Sequence, residues 1–285
     1  MRNKRILITG GAGSIGSELV RQLVPNNKVF VLDINETGMF DIVSEHKEAG
    51  RWIHGRVGDI RDEKTLEDVF SDFKPQVVFH AAALKHVTPG EQTPLEYIQT
   101  NIIGTYNLIK YAKKWECLEK FIFISTDKAV QSSSIMGATK RVSEIIVRNQ
   151  GKGFVVVRFG NVLGSRGSVI PIWQKAVDQG RPLKVTDERM TRYMMTISEA
   201  VDLVIQAAEI GNGGEIICLD MGKKVNILEL AESIVKETQH APENRLPIEI
   251  TGMRPGEQIT ERLMFEEEEH QVVREGKFLI IKQPS

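Results

Sequence analysis

The feature that most limits how this chain can fold is a glycine-rich turn near its beginning. Residues 5–9 form a short apolar run, residues 10–16 read Gly-Gly-Ala-Gly-Ser-Ile-Gly, and a helical pattern follows over 14–23. A strand that passes through such a turn into a helix is typical of the first unit of a parallel sheet with helices on both faces. Glycine lets the backbone turn tightly and approach a pyrophosphate, which then sits at the helix N-terminus. The opening of the chain therefore predicts a dinucleotide site.

The first half of the chain alternates short apolar runs with helical patterns, which favours a doubly wound parallel sheet. We predict an α/β fold with a parallel Rossmann sheet over residues 1–160. A smaller, interleaved C-terminal substrate-binding region is predicted over 161–285, of which about 198–220 returns to the first domain. The predicted strands cover residues 5–9, 28–32, 51–55, 77–80, 120–125 and 154–159, and the predicted helices cover 14–23, 37–49, 62–73, 94–113, 135–149, 168–179, 198–209 and 227–238.

A carboxylate at the end of the second predicted strand indicates which dinucleotide binds. Asp33 lies 20 residues after Gly13, where it would accept hydrogen bonds from the adenosine ribose. Residues 34–36 supply no arginine or lysine for a 2′-phosphate, so NAD is favoured over NADP. Asp59 and Ile60 follow the third predicted strand, where the adenine should lie. The small residues at 81–83 follow the fourth strand and would let the cofactor approach closely. The predicted cofactor contacts from this pattern are Gly10, Gly13, Ser14, Ile15, Gly16, Asp33, Asn35, Asp59, Ile60, Ala81 and Ala82.

Composition excludes several other classes of protein. A net charge of −1 gives no reason to expect nucleic acid as a partner. No apolar run approaches the roughly 20 residues that span a bilayer, and the chain enters a strand too early for a signal peptide. The six histidines show no metal-ligand spacing, so no metal is predicted. The two cysteines lie far apart in apolar contexts, which is typical of reduced residues, and we predict a cytoplasmic protein.

Groups that can move protons follow the fifth predicted strand. Residues 125–128 read Ser-Thr-Asp-Lys, and Lys140 follows on a predicted helix, four residues after Met136. That spacing places both side chains on one helix face. Asp127 or Lys128 alone could be an ordinary salt-bridge residue of a loop. Because the two are adjacent, at the strand end where open sheets bind ligands, the functional interpretation is favoured.

Together these segments identify a family. The chain resembles the extended short-chain dehydrogenase/reductases, and more narrowly the bacterial polysaccharide-biosynthesis enzymes that act as UDP-N-acetylglucosamine 4,6-dehydratases. In the wider family a tyrosine stands four residues before the lysine. Met136 occupies that position here, as is typical of the larger, membrane-anchored members, whose catalytic domain this chain resembles. The matching segments are Ala-Ala-Ala-Leu-Lys-His-Val at 81–87, Ser-Thr-Asp-Lys-Ala-Val at 125–130, Met-Gly-Ala-Thr-Lys-Arg at 136–141, Arg-Phe-Gly-Asn-Val-Leu-Gly-Ser-Arg-Gly-Ser-Val-Ile-Pro at 158–171, Met-Thr-Arg-Tyr at 190–193 and Gly-Met-Arg-Pro-Gly-Glu at 252–257.

The resemblance implies a lyase that uses NAD catalytically. NAD takes a hydride from C4 of the sugar, the C5 proton and the C6 hydroxyl leave, and the hydride returns at C6. Thr126 would bond the C4 oxygen, and Asp127 would be the general acid with a raised pKa. Lys128 would be the C5 base with a lowered pKa, and Lys140 would bind the nicotinamide ribose. Met136 would shape the space beside the nicotinamide.

The phenol that usually takes the C4 hydroxyl proton is missing, and we expect Asp127 to replace it. In this hypothesis Asp127 is ionised at first, accepts the proton through or beside Thr126, and later delivers it to the C6 oxygen. Departing from its relatives, the chain carries Gly90 within 88–94, where they have a bulkier stretch. The residues predicted to contact the UDP-sugar are Lys85, His86, Glu91, Asn161, Ser168, Val169, Pro171, Arg192, Arg254 and Glu257.

The predicted product is UDP-2-acetamido-2,6-dideoxy-4-keto-glucose with the C5 configuration retained, for surface glycan or modified-sugar synthesis. Retention of the C5 configuration is implied only by the resemblance to the family members that carry methionine at the tyrosine position. Inversion at C5 and release of a 5,6-ene remain alternative reactions. The alternative that is not an enzyme is a silent NAD-binding regulator. Such a protein would be expected to have lost its acid–base groups, but residues 126–128 and Lys140 are all present. The resemblance also implies a homodimer, or a higher homo-oligomer, formed through the helices at 94–113 and 135–149.

Overall fold

The main sheet is parallel over most of its width. In the computed structural model, which describes residues 1–49, 51, 53–238 and 246–282, the strand order is β14-β15-β11-β6-β5-β4-β1-β2-β3. Strands β3 to β11 run parallel, whereas β15 and β14 are antiparallel to their neighbours. The predicted doubly wound Rossmann sheet is confirmed. These strands are β1 Arg5–Thr9, β2 Lys28–Asp33, β3 His54–Val57, β4 Val77–His80, β5 Lys120–Thr126, β6 Phe154–Phe159, β11 Ile216–Leu219, β14 Val272–Glu275 and β15 Phe278–Ile281.

Helices cover both faces of the sheet and bury two apolar layers, one on each side. Strand residues alternate between the layers: Ile6 and Ile8 pack on one face, and Leu7 packs on the other. The described helices are α1 Ser14–Leu23, α2 Glu36–Glu48, α3 Glu63–Phe73, α4 Val87–Gln92, α5 Pro94–Tyr97, α6 Thr105–Ala112, α7 Ile135–Arg148, α8 Val169–Asp178, α9 Ile197–Ile210, α10 Ile227–Thr238 and α11 Glu266–Glu269.

The helix predicted over 94–113 is interrupted. A π-helical segment, Ile98–Gly104, separates α5 from α6. Within it the Asn101 side chain accepts a hydrogen bond from Leu84 N at 2.9 Å and donates to Leu84 O at 3.0 Å. It also donates to Thr139 Oγ1 at 3.0 Å, so it joins the strand-end loop to α7. A widened turn lets one buried amide reach both partners.

Two features of the main sheet depart from the sequence expectation. The third strand begins at His54 rather than at residue 51, and residue 52 of the predicted range lies outside the described residues. The hairpin of β14 and β15 adds an edge that the sequence pattern did not indicate. Ile281 of β15 pairs with Ile216 of β11, so the C-terminal segment joins the first-half sheet.

The second half of the chain builds a smaller layer beside the carboxyl ends of the strands. Its core holds Trp173, Leu183 and Ile227. Helix α9 and strand β11 instead pack with the main sheet, and together they span residues 197–219, against a predicted range of about 198–220. Within the described residues, no helix is both long and apolar enough to cross a membrane. The remaining strands pair two by two, β7 Asn161–Leu163 with β10 Met194–Thr196, β8 Leu183–Val185 with β13 Ile248–Ile250, and β9 Thr191–Arg192 with β12 Val225–Asn226.

Candidate active site

The glycine-rich turn packs closely on the neighbouring backbone because its glycines lack side chains. Gly10 has a φ of +70°, and a Cβ there would lie 2.5 Å from the backbone nitrogen of Ala82. A Cβ on Gly16 would lie 2.1 Å from Gly10 O. The turn therefore packs tightly on the end of β4, and Gly13 exposes the first N–H groups of α1. This geometry fits the pyrophosphate of a dinucleotide.

Asp33 holds the turn in position. Its Oδ2 accepts from Ala12 N at 2.9 Å and its Oδ1 accepts from Asn35 N at 2.8 Å. Asn35 in turn caps α2, since its Oδ1 accepts from Gly38 N at 3.0 Å. A cavity of about 380 Å³ opens here. Of the residues predicted to contact the cofactor, those that line it are Gly10, Gly13, Asp33, Asn35, Asp59, Ile60, Ala81 and Ala82, whereas Ser14, Ile15 and Gly16 begin α1 beneath it.

Asp127 lies at the end of β5 and is fully buried. Its Oδ1 accepts from Thr126 Oγ1 at 3.0 Å and from Lys128 Nζ at 3.1 Å. Its Oδ2 has no partner among the described residues. Burial raises the pKa of Asp127 to about 7; Lys128 opposes this change, and the negative charge of Glu261 adds to it. The carboxyl group can therefore gain and lose a proton near neutral pH.

Lys128 is surrounded by acceptors. Its Nζ lies 3.1 Å from Asp127 Oδ1, 3.0 Å from Asn161 Oδ1 and 3.0 Å from Glu261 Oε1. Burial would lower the pKa of Lys128, but the charges of Asp127 and Glu261 outweigh it and raise the pKa. The sequence-based expectation of a lowered pKa at Lys128 is wrong for this state of the site, because the second carboxylate was not foreseen.

Glu261 is the acidic residue that the sequence interpretation missed. Only 4% of it is exposed, and it pairs with Lys128 and, at 3.3 Å, with Arg192 Nε. Burial would raise its pKa, but the charges of Lys128 and Arg192 outweigh it, so the pKa of Glu261 is lowered. Its position four residues beyond Glu257 was the available signal. No periodic pattern assigns the segment at 258–261 to a strand or helix, which is why the residue was overlooked.

Helix α7 places Met136 and Lys140 near the turn that carries Asp127 and Lys128. Ser134 caps it by accepting from Gly137 N at 3.1 Å, and a Cβ on Gly137 would lie 2.1 Å from Lys128 O. The helix therefore packs directly on the turn at Asp127–Ala129. Met136 is 3% exposed. Lys140 Nζ donates to the carbonyl of Ile124 at 2.5 Å, and burial lowers the pKa of Lys140 to about 7.

A buried ion network fixes the other side of this helix. Arg158 is fully buried, and its guanidinium donates to Glu144 at 2.7 and 2.9 Å and to Glu268 Oε2 at 2.7 Å. Glu144 also accepts from Ser125 Oγ at 2.6 Å. Strand β5, helix α7 and helix α11 are thus joined by charge-assisted hydrogen bonds. The network positions the segment that leads into Asp127.

A larger cavity, of about 680 Å³, opens between the smaller layer and the pair of Lys128 and Glu261. Four predicted substrate residues do not line this cavity. Lys85 and His86 follow β4 and are exposed, and Pro171 is not part of the cavity wall. Glu91 Oε1 accepts from Ile135 N at 2.8 Å, so it caps α7. The predicted substrate residues that line the cavity are Asn161, Ser168, Val169, Arg192, Arg254 and Glu257, together with Lys128 of the predicted catalytic set.

The two arginines predicted to contact the substrate, Arg192 and Arg254, differ in how many hydrogen bonds they make to the protein. Arg192 donates to the carbonyl oxygens of Thr191, Ile259 and Gln258 at 2.8 to 3.0 Å and pairs with Glu261. It therefore holds the segment that carries Glu261. Arg254 donates only its backbone N–H, to Glu257 Oε2 at 2.9 Å, among the contacts of the described residues. Arg254 is part of the wall of the larger cavity.

The fold and this constellation define an extended short-chain dehydrogenase/reductase. The chain belongs to the polysaccharide biosynthesis protein family, whose model matches residues 6–283. Among curated relatives, it is 43% identical over 283 residues to the capsular polysaccharide biosynthesis protein CapD of Staphylococcus aureus, covering 95% of this chain and 46% of CapD. The chain thus spans about half the length of that relative.

A second relative carries an enzyme name, and two solved structures share the fold. The chain is 34% identical over 279 residues to a UDP-N-acetylglucosamine 4,6-dehydratase (inverting) of Campylobacter jejuni, covering 94% of this chain and 79% of that protein. Pen from Bacillus thuringiensis superposes with a TM-score of 0.93 at 34% identity, over 99% and 89% of the two chains. The UDP-glucose 4-epimerase of Thermus thermophilus, solved with NAD, gives 0.77 at 25% identity, over 90% and 88%.

Proposed function

We propose that this chain is the catalytic part of an NAD-dependent UDP-N-acetylglucosamine 4,6-dehydratase that retains the C5 configuration. The observation that carries the proposal is the buried Asp127–Lys128 pair, with Lys128 in the wall of the larger cavity. A carboxyl group whose pKa is about 7 beside an ammonium group suits the removal of water from a keto sugar. The enzyme name of the Campylobacter jejuni relative supports the same substrate and reaction class.

NAD is the cofactor of the smaller cavity. The glycine turn fits a pyrophosphate, and Asp33 faces the place of the adenosine ribose. A bound NAD would supply a reversible hydride acceptor. Lys140 would bind the nicotinamide ribose, and Met136 would border the nicotinamide. The Thermus thermophilus relative in complex with NAD supports this assignment.

In the proposed mechanism, Asp127 moves one proton twice. Ionised at the start, it accepts the proton of the C4 hydroxyl through or beside Thr126, whose Oγ1 donates to Asp127 Oδ1 at 3.0 Å. It later delivers that proton to the C6 oxygen as water leaves. A pKa of about 7 serves both steps, since a group that titrates near the working pH is efficient as base and as acid.

The charge state of Lys128 changes along the way. The carboxylate of Asp127 is one of the two charges that raise the pKa of Lys128. When Asp127 takes up the C4 proton, that charge disappears and the pKa of Lys128 falls. Lys128 can then pass a proton to the carboxylate of Glu261, which lies 3.0 Å from its Nζ, and the neutral amine can remove the C5 proton of the keto sugar. Oxidation at C4 thus prepares the base for elimination.

The smaller layer would hold the UDP part of the substrate. We propose that Arg254 meets the diphosphate, Glu257 the uridine ribose, and Val169 the uracil, since all three line the larger cavity. Residues 161–285, apart from the segments in the main sheet, would form this substrate-binding region. The product would serve surface glycan or modified-sugar synthesis.

The direct test is incubation with UDP-N-acetylglucosamine in D₂O, followed by NMR of the product. Retention predicts a 4-keto-6-deoxy sugar with deuterium at C5 and the gluco configuration. Met136 at the tyrosine position supports retention, whereas the name of the Campylobacter jejuni relative favours inversion. A product with inverted C5, or a 5,6-ene, would replace the retaining assignment. No turnover of any UDP-sugar would favour a silent NAD-binding regulator.

A further inference from the structure

The loop between β7 and α8 reaches across the molecule to the glycine-rich turn. Arg166 N donates to Ser14 Oγ at 3.0 Å, and Arg166 Nη1 donates to Ala12 O at 2.9 Å. Gly164 and Gly167, on either side, have φ angles of +72° and +70°. Glycine adopts this left-handed conformation without strain, so the loop can bend sharply and present Arg166 to the turn.

Arg166 supplies a positive charge to the smaller cavity that no carboxylate neutralises. The charged residues of the described cavity wall are Asp33, Asp59, Arg61, Glu96 and Arg166. Arg61 pairs with Asp59 at 2.6 Å and with Glu96 at 2.8 Å. No described carboxylate lies within ion-pair distance of Arg166, and its Nε and Nη2 have no partner among the described residues. The guanidinium is therefore free to bind an anion.

A positive charge beside the glycine-rich turn would strengthen the binding of a pyrophosphate. The proposed NAD carries a pyrophosphate with a negative charge on each phosphate, and the first turn of α1 offers backbone N–H groups, the helix dipole and the Ser14 hydroxyl, but no cationic side chain. A guanidinium donates two parallel hydrogen bonds to a phosphate, which a backbone turn does not provide. Arg166, bonded to Ala12 and Ser14, stands next to the position that the pyrophosphate would take.

The same loop also forms part of the larger cavity. Gly167, Ser168 and Val169 line that cavity, directly after Arg166 in the smaller one. The buried Ser168 Oγ has no hydrogen-bond partner among the described residues. A contact that fixes Arg166 would therefore also fix this part of the wall of the larger cavity.

We propose that Arg166 is a cofactor-binding residue that grips the pyrophosphate of NAD and, through residues 167–169, couples cofactor binding to sugar-nucleotide binding. This inference rests on the proposed function for the identity of the two ligands. Because coupling between binding sites is reciprocal, NAD would raise the affinity for UDP by the same factor by which UDP raises the affinity for NAD.

The test is titration calorimetry with NAD, ADP-ribose and UDP on the whole chain and on two variants. Arg166→Ala is expected to weaken NAD and ADP-ribose alike, by about ten- to hundred-fold, because both ligands carry the pyrophosphate. Arg166→Lys keeps the charge but loses the bidentate geometry, and should fall between. Saturating NAD should tighten UDP by about five-fold or more in the unaltered protein but not in Arg166→Ala. Arg2→Ala, a change at an exposed arginine, is the matched control.

Several results would overturn the inference. They are unchanged NAD affinity in Arg166→Ala, a loss for NAD without a loss for ADP-ribose, or an NAD effect on UDP that survives the substitution. Circular dichroism and the thermal unfolding midpoint show whether a variant is folded. These measurements need no turnover, so failure of the dehydration assay would overturn the proposed function and leave the inference standing. Absence of NAD binding by the unaltered protein would overturn both.

Discussion

Lys128 and Glu261 form an ion pair of 3.0 Å between the main sheet and the segment that follows the smaller layer. The same ammonium group lies 3.1 Å from Asp127, so it bridges two buried carboxylates. In a site of low dielectric, each of these three charges sets the protonation of the others. The acid–base behaviour of the site therefore belongs to the group of three, and removing any one member should change the other two.

Asp127→Asn should abolish both cofactor reduction and elimination. An amide cannot take up the C4 proton or return it to C6, and we expect turnover to fall by about 10²- to 10⁴-fold. Product formation by NMR and absorbance of the reduced cofactor measure the two steps separately. Asp202→Asn, at an exposed helix position, is the control. Accumulation of 4-keto sugar by the Asp127 variant would contradict the proton shuttle.

Glu261→Gln should move the acid limb of the pH–rate profile to lower pH. In the shuttle, Asp127 must start as a carboxylate, so activity is lost as the pH falls through its pKa of about 7. The negative charge of Glu261 raises that pKa, and removing the charge lowers it. The measurement is kcat/KM against pH, which reports the free enzyme. Glu267→Gln, at an exposed position, should leave the limb in place. A limb that stays or rises in the Glu261 variant would argue against the coupling.

Arg158→Met should destabilise the fold far more than loss of an exposed pair. The substitution removes the buried guanidinium that Glu144 and Glu268 share and leaves them with the partly exposed Arg141, and the loss of a buried partner costs about 3–5 kcal/mol. Arg262→Met breaks a pair with Glu266 in which both side chains are exposed, and should cost at most about 1 kcal/mol. Urea unfolding gives both free energies. Equal losses in the two variants would show that the buried network contributes little.

The helices α5, α6 and α7 should form a dimer interface. They pack side by side and expose apolar residues, with Leu95 69%, Tyr106 55%, Val142 40% and Ile145 47% exposed. Because a surface of this kind is stabilised by burial, Val142→Glu with Ile145→Glu should shift the protein to a monomer in light scattering. Phe40→Glu, at a position 67% exposed on α2, is the control. A monomeric unaltered protein would contradict this proposal.

The fold could be predicted wherever the signal was local. The strand, turn and helix at residues 5–23 follow from adjacent residues, and the bounds of α1 and β1 match the prediction. The hairpin of β14 and β15 could not be predicted, because its partner β11 is set by pairing across the sheet between Ile281 and Ile216. The π-helical break at Ile98–Gly104 likewise depends on what the Asn101 amide meets in three dimensions.

The site residues likewise fall into those with a local sequence signal and those that depend on long-range contacts. Asp127, Lys128 and Lys140 could be singled out because they stand near one another in the sequence. Glu261 lies far along the chain, so its effect on the pKa of Lys128 could not be seen. Arg166 lies in the segment 158–171, which matches the family, but only the folded chain shows that its guanidinium donates to Ala12 O beside the smaller cavity.

The close packing of Gly137 against the carbonyl of Lys128 has a consequence for how such enzymes diverge. Backbone contact, not the side chain at position 136, sets the distance between the helix and the acidic turn. A tyrosine or a methionine could therefore be exchanged there while the groups that move protons keep their places. The placing of Asp127 and Lys128 against the helix therefore does not require a phenol at position 136.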